Sequence, residues 1–345
     1  MSSIYILFSV IPSLCYCYFF SAKIPKGITR LISLLPIIYF FTILPLYLPS
    51  AFLIAVTTLF ITWLTNFKLL LFAFDQGPLV VINAPNTKKL SLAVFISMAA
   101  LPLRTKQHSI TPNTDRKIPL NIAAEIVICA LILEIIFFHR REIHPKLLLV
   151  CYCVMIFLVI NILVACCSSV VEIFLGLDVE PPSNEPYFST SLQDFWGRRW
   201  NLTVTNTLRL SVYNPARLVL LGVLGKKWAQ HVASLATFVV SGLMHELIFY
   251  YVNVESPSWE MTGFFVLHGL CIIVETEVKR ALKDTLRLHG LVSCPLTIGF
   301  VLATAFGLFF PPLIRNGADE RVLQEVGFCF DFLKDKMLPF VGHLI

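Results

Sequence analysis

Long apolar runs separated by short polar connections make up most of this chain. A helix needs about 20 consecutive apolar residues to cross the hydrocarbon core of a bilayer, and most of these runs reach that length with few charges inside them. The pattern therefore predicts about eight or nine membrane-spanning helices. The predicted spans are 4–22, 31–49, 51–72, 90–103, 119–138, 147–175, 232–252, 261–282 and 291–312, with a less apolar candidate at 323–341.

The stretch between the sixth and seventh spans breaks this pattern. Residues 177–186 are rich in proline and acidic side chains, which predicts a loop. Ser191 followed by Asp194 resembles a capping box, so a helix is expected to start there. Its aromatic and arginine side chains suit the headgroup interface, and Pro215 predicts a second break, after which 216–224 is too short to cross. We predict interfacial or re-entrant helices in this stretch.

Composition assigns the whole chain to one class. Of the 345 residues, 57% are hydrophobic and 14% are charged, far fewer charges than soluble domains carry. The apolar excess is spread over the full length, so we predict an all-α polytopic membrane protein with a single transmembrane domain, 1–345. The absence of an internal repeat weighs against transporters built from repeated halves.

Charge and cysteine content add little to the prediction of topology or of a metal or disulfide site. The net charge is +6, and the basic residues cluster in connections at both ends of the predicted span 119–138, so the positive-inside rule does not fix the orientation. Most of the ten cysteines lie inside apolar runs and lack the spacing of zinc ligands. We therefore predict neither a structural metal nor a disulfide.

One histidine lies in an otherwise nearly apolar span. His245 is followed by Glu246, and hydrocarbon cannot solvate either ionised side chain, so a functional role is the first hypothesis. A neutral imidazole can act as a general base near neutral pH; alternatively it hydrogen-bonds a neighbouring helix. Ser241 and Gly242, one turn earlier, leave space beside it for a substrate or for close helix packing.

Two further polar positions have open interpretations. The Asn201 amide could donate to a carbonyl or an oxyanion, could cap the end of the interfacial helix, or could be glycosylated, since Asn201-Leu202-Thr203 is a sequon. His268 and Glu275 share one stripe of their predicted span. That stripe could orient a substrate or relay protons, or it could be a hydrogen-bonded seam between helices.

Several kinds of chemistry lack their sequence signatures. The chain has no glycine-rich phosphate loop, no Gly-x-Ser-x-Gly elbow, no paired CxxC motifs and no nucleic-acid-binding motif. A serine nucleophile, a redox cofactor and a nucleic-acid partner are therefore not expected.

Two motifs together carry a family resemblance. Residues 194–201 (DFWGRRWN) and 241–246 (SGLMHE) are similar to the paired signature of the membrane-bound O-acyltransferase superfamily. The segments 74–79, 211–215 and 265–269 resemble its plant wax synthase branch more narrowly. The resemblance extends over essentially the whole chain, with its signature region at about 187–270.

The resemblance implies a reaction and roles for individual residues. Members transfer a fatty acyl group from cytosolic acyl-CoA to a hydroxyl presented from the bilayer. His245 corresponds to the family's intramembrane histidine and Asn201 to its upstream asparagine. The expected product is a wax ester formed on a long-chain alcohol in the endoplasmic reticulum membrane, with acyl-CoA as co-substrate and no metal or other cofactor. Candidate substrate-binding residues are His268, Ser241, Trp196, Trp200, Arg198 and Arg199. The two arginines, together with Lys226 and Lys227, are expected near the CoA phosphates.

Three alternatives remain open at this point. A sterol O-acyltransferase could use the same scaffold. A proton-coupled transporter could use the intramembrane histidine and glutamate as a relay. A non-catalytic relative would bind acyl-CoA without turning it over.

Overall fold

The fold is a bundle of helices, seen here in a computed structural model that describes residues 7–80, 90–105, 122–282 and 289–341. Within these residues the only bridge between extended segments joins Thr105 and Val179, so the all-α prediction is confirmed. Among the described residues, seven helical segments are long and apolar enough to cross a membrane, which confirms a multi-pass membrane protein. They are Ile28–Tyr47, Ala51–Ala73, Ile122–His139, Pro145–Leu175, Leu202–Asn253, Glu260–Ala281 and Gly290–Arg315.

The helices are numbered in chain order below. π-turns interrupt the third, eighth and tenth, at Thr58–Thr65, Arg209–Tyr213 and Ala305–Phe309. The labels are α1 (Val10–Phe19), α2 (Ile28–Ile43), α3 (Ala51–Ala73), α4 (Leu92–Ala100), α5 (Ile122–His139), α6 (Pro145–Leu175), α7 (Leu192–Asp194), α8 (Leu202–Asn253), α9 (Glu260–Ala281), α10 (Gly290–Arg315) and α11 (Ala318–Val341).

Within the part of the chain that the structure describes, three of the predicted spans contain a helix that is too short or too polar to count as a crossing segment. In the described part of 4–22, α1 has 10 residues, and α4 within 90–103 has 9. Helix α11 has 24 residues, but its exposed and half-buried positions include Asp319, Glu320 and Glu325. A helix of that composition lies along the bundle or at its edge more cheaply than it crosses hydrocarbon.

The loop and the helix start predicted before residue 195 are both present. Gly176 ends α6 in the left-handed conformation, with φ 64°, and the segment after it has no α-helix until α7. The Ser191 hydroxyl accepts a hydrogen bond from the Asp194 backbone N–H at 3.1 Å. The carboxylate of Asp194 in turn accepts from the backbone N–H of Thr190, the residue before the N-cap, at 3.3 Å, so the reciprocal bond is shifted by one residue from that of a standard capping box.

The break predicted at Pro215 is wrong. The chain is helical through Pro215, which lies directly after the π-turn Arg209–Tyr213, in a first turn where a missing N–H costs little. The backbone leaves the helical conformation at Gly225 instead, with φ 70° and ψ 168°, a region open mainly to glycine. Helix α8 is therefore one long, bent element with its functional residues distributed along it.

Close packing of α8 against α9 uses small residues. A Cβ on Gly242 would lie 2.8 Å from the Cα of Thr262, and one on Gly269 would lie 3.1 Å from Phe238. Glycine at these two positions lets the backbones approach, the usual role of small residues between membrane helices. Gly242 thus makes the interhelical contact and does not leave a vacant space beside His245.

Glu246 has a structural partner on the same interface. Its side chain is buried, and Oε1 accepts a hydrogen bond from the backbone N–H of Thr262 at 3.1 Å. Thr262 is in the first turn of α9, whose free N–H groups and positive dipole end favour a carboxylate. Glu246 therefore fixes the start of α9 relative to the helix that carries His245.

A buried lysine ties α3 to α4. The Lys68 side chain is 1% exposed, and its ammonium donates to the carbonyls of Met98 at 2.7 Å and Leu101 at 2.6 Å. These are carbonyls at the end of α4 that lack a partner in their own helix. The contact holds the second half of α3, and with it the buried Trp63.

Candidate active site

A large cavity lies between α3, α6, α8, α9 and α10 and reaches the first turns of α11. Its volume is about 950 Å³, at the upper end of the range for small-molecule sites. Most of its lining is aliphatic or aromatic, with a smaller set of polar groups that includes His245 and Asn201. Examples of the apolar lining are Ala55, Leu59, Met155, Val159, Phe309 and Leu313.

His245 lies in the wall of this cavity with a defined tautomer. Its Nδ1 is 2.7 Å from the backbone carbonyl oxygen of Ser241, four residues earlier on α8. A carbonyl can only accept, so Nδ1 carries the proton and donates. The lone pair is therefore on Nε2, which leaves His245 able to accept a proton from a group in the cavity.

Aromatic rings hold the imidazole on its other sides. The ring of Phe265 stacks on it with centroids 4.3 Å apart and an interplanar angle of 29°. Trp63 and Phe309 meet it edge to face, at 5.1 and 5.7 Å. Because these contacts come from α3, α9 and α10, three helices other than its own fix the ring.

Asn201 lines the same cavity, at the start of α8. It has a left-handed backbone, φ 36° and ψ 68°, and its Oδ1 accepts from the Val204 backbone N–H at 3.2 Å. Asn201 thus caps the helix that follows it, so the predicted C-cap is wrong. The cap uses the side-chain oxygen and leaves the amide Nδ2 as a possible donor, and a position in the cavity wall is unsuited to a glycan.

Both of the tryptophans predicted to bind substrate also line the cavity. Trp196 and Trp200 are on the π-turn Phe195–Arg199 and just after it. Trp200 stacks between Phe195 and Phe157, with centroids at 5.4 and 5.8 Å. Ser241 lines the cavity as well; the contact it makes with His245 is through its backbone oxygen.

His268 does not occupy the place predicted for it. It is fully buried and is missing from the described residues that line the cavity. Its Nδ1 accepts from the Trp196 indole N–H at 2.9 Å, and its Nε2 is 2.9 Å from the Thr304 hydroxyl. Glu275, on the same stripe, accepts from the backbone N–H of Leu192 at 3.0 Å. The stripe is therefore a hydrogen-bonded seam between elements, and His268 is hydrogen-bonded to Trp196, which lines the cavity.

Arg198 and Arg199 are outside the described cavity lining too. Arg199 donates from Nε to Asp194 at 2.7 Å, and its Nη1 contacts the carbonyls of Asn184 and Glu185. Arg199 therefore stabilises the loop before α7. Arg198 is exposed on the same π-turn.

Other basic residues line the cavity. His231 and Arg280 line it where α8 meets the end of α9, and Arg209, on the π-turn of α8, is a further basic residue of the lining. Glu277 accepts from His231 at 2.7 Å, from Arg280 at 2.7 Å and from Lys227 at 2.5 Å. This cationic group is at the opposite end of α9 from Glu246 and Thr262.

Sequence reasoning missed several residues of the cavity, and Trp63 and Arg209 are two of them. Trp63 is 1% exposed, in a run that reads as an ordinary apolar span. Arg209 is one arginine in a mixed segment, with no motif to single it out. No local signal identifies either residue, because only helix packing brings them to the cavity.

The fold and site define a class: a multi-pass membrane protein in which a histidine and an asparagine line one largely apolar cavity. The profile of the "Membrane bound O-acyl transferase family" matches residues 179–267, which include both residues. The "Long-chain-alcohol O-fatty-acyltransferase" of Simmondsia chinensis is 42% identical to this chain, over 97% of this chain and 96% of the relative. The "Acyl-CoA--sterol O-acyltransferase 1" of Arabidopsis thaliana is 41% identical, over 92% and 91%. This chain belongs to the membrane bound O-acyl transferase family.

Proposed function

We propose that this protein transfers a fatty acyl group from acyl-CoA to the hydroxyl of a long-chain alcohol, forming a wax ester. The observation that carries the proposal is His245, whose Nδ1 is committed to Ser241 and whose Nε2 is the free basic nitrogen in the cavity wall. The similarity to an enzyme named for long-chain alcohols, over nearly the full chain, supports the choice of acceptor.

The proposed steps balance without any further reactant. His245 Nε2 takes the hydroxyl proton while the alcohol oxygen attacks the thioester carbonyl carbon. Asn201 Nδ2 donates to the oxyanion of the tetrahedral intermediate, whose collapse breaks the carbon–sulphur bond. The departing CoA sulphur takes the proton back from His245. General-base assistance of this kind contributes about 10²–10⁴-fold.

The chamber suits two long chains. Burying methylene groups in an apolar lining stabilises the bound state by ~0.8 kcal/mol per group, and excluding water limits hydrolysis of the thioester. Since the thioester is already an activated acyl group, we propose that acyl-CoA acts as co-substrate with no metal or other cofactor. We further propose the endoplasmic reticulum membrane as the location, where both lipid substrates are available.

The basic end of the chamber supports an orientation for the donor. His231 and His245 are fourteen residues apart on α8, a rise of about 21 Å. That distance is comparable to the extended pantetheine arm of CoA. We propose that Arg209 and Arg280 contact the CoA phosphates, in place of the Arg198 and Arg199 expected from sequence, while the thioester reaches His245.

Neutralising Arg209 should weaken donor binding selectively. Arg209→Gln is expected to raise the KM for acyl-CoA by about fivefold, or ~1 kcal/mol for a partly solvated ion pair. The KM for the alcohol should stay within twofold, about the scatter of such measurements. Arg141→Gln, an exposed arginine in the connection after α5, is the matched control. Equal KM values for acyl-CoA in the two variants would place the donor elsewhere.

One assay tests the proposed function directly. Purified protein in lipid vesicles is given one labelled acyl-CoA together with a linear primary alcohol, a sterol or a diacylglycerol. We expect ester mainly from the linear alcohol. Sterol ester as the main product would assign the activity named for the Arabidopsis relative instead, and proton-coupled flux without acyl-CoA consumption would assign a transporter.

A further inference from the structure

A chain of hydrogen bonds leads from the cavity wall into the bundle. The Trp196 indole N–H donates to His268 Nδ1, and His268 Nε2 faces the Thr304 hydroxyl, both at 2.9 Å. An indole nitrogen can only donate, so Nδ1 is the acceptor and Nε2 carries the proton. The Thr304 hydroxyl then donates to the Phe300 carbonyl at 2.8 Å. Every polar side-chain atom in this series of hydrogen bonds has a partner. The series joins the π-turn after α7 to α9 and α10.

The indole at the start of this chain is part of the wall beside the base. Trp196 packs on Phe265 with centroids 5.6 Å apart, and Phe265 stacks on His245 at 4.3 Å. Edge contacts with Phe238 and Phe264, at 5.9 and 6.2 Å, surround the same indole. Its backbone is held separately, because Thr205 donates to the Trp196 carbonyl at 3.0 Å. The indole therefore supports the Phe265 ring that stacks on His245, and it also lines the chamber itself.

Packing alone does not require a histidine here. An apolar side chain of similar volume would fill the space below Trp196 without desolvating an imidazole. What the histidine adds is an acceptor for the indole N–H, which would cost ~1–3 kcal/mol if it were left buried and unpaired. That penalty disfavours other rotations of the ring, so the hydrogen bond selects one shape of the wall.

We propose that His268 is a positioning residue. By holding Trp196 in place, it fixes the width of the part of the chamber that receives the alcohol. With the indole held, a linear alkyl chain passes beside His245 more easily than a branched or ring-bearing one. This inference rests on the proposed function, and it concerns selection among alcohols and not the chemical step.

Two isomeric alcohols test it: a linear primary alcohol and an isomer whose chain branches beside the hydroxymethyl carbon. They have equal carbon number, so the ratio of their kcat/KM values reports width and not hydrophobicity. His268→Leu and Trp196→Phe are each expected to lower the linear-to-branched ratio about fivefold, the scale of one lost hydrogen bond. The double variant should show no further fall, because both changes remove the same contact.

Rescue and control variants separate positioning from folding. His268→Asn can present an oxygen where Nδ1 lies and should restore the ratio to within about twofold of the unmodified protein. Thr297→Val is the matched control, since Thr297 is buried on α10 and donates only within its own helix, to Ser293 at 2.8 Å. An equal loss with both alcohols in His268→Leu, or additive effects in the double variant, would overturn the inference. Failure of the unmodified protein to esterify either alcohol would instead overturn the proposed function.

Discussion

His245→Ala is expected to reduce ester formation by about 10²–10⁴-fold, the contribution typical of a general base. The variant removes Nε2, the basic nitrogen in the cavity wall, and leaves an alcohol that cannot lose its proton at neutral pH. It also removes a ring that packs on Phe265, Trp63 and Phe309, so accumulation and membrane insertion must be measured beside turnover. Acyl-CoA binding should be kept, because the proposed phosphate contacts are made by Arg209 and Arg280 and not by His245.

His139→Ala is the matched control for that experiment. His139 is exposed at the end of α5, with its Nδ1 3.2 Å from Glu142, and its loss should leave activity unchanged. Product formation by His245→Ala at the rate of the control would remove His245 from the chemistry. A variant that inserts, binds acyl-CoA and forms no ester would support the assignment and would also exclude a merely structural histidine.

The parts of the fold that sequence predicts are those with a local physical cause. Hydrophobic length predicts the seven segments that are long and apolar enough to cross a membrane, proline density predicts the loop at 177–186, and the pair Ser191 and Asp194 predicts the start of α7. Each depends on residues a few positions apart. Pro215 and Gly225 show the limit: both are helix breakers by propensity, but the backbone stays helical through Pro215 and leaves the helical conformation at Gly225.

The candidate site divides in the same way. Histidine in an apolar run is a signal in itself, so His245 could be selected from sequence. The role of His268 could not, because its partners Trp196 and Thr304 are 72 and 36 residues away. The sequence points to Arg198 and Arg199 as phosphate ligands because they belong to a recognisable motif, and it has no such signal at Arg209. The structure shows Arg199 bonded to its own loop and Arg209 at the cavity.

Asn201→Ala is expected to lower turnover by about 10²–10³-fold, the effect of removing one oxyanion donor, or ~2.7–4 kcal/mol. The same change removes the cap that Oδ1 provides to Val204, a loss of ~1 kcal/mol in helix stability. The two contributions must be separated, because either one would lower the measured activity.

Asn201→Asp separates them. An aspartate keeps an oxygen for the Val204 N–H and favours the start of a helix, but it has no amide hydrogen to donate. If Nδ2 stabilises the oxyanion, the aspartate variant should match the alanine variant in turnover while matching the unmodified protein in thermal stability. If Asn201→Asp turns over at a rate close to that of the unmodified protein, Asn201 contributes to activity through its helix cap alone. The intermediate would then need another donor, and the buried indole of Trp63 beside His245 is the first to test.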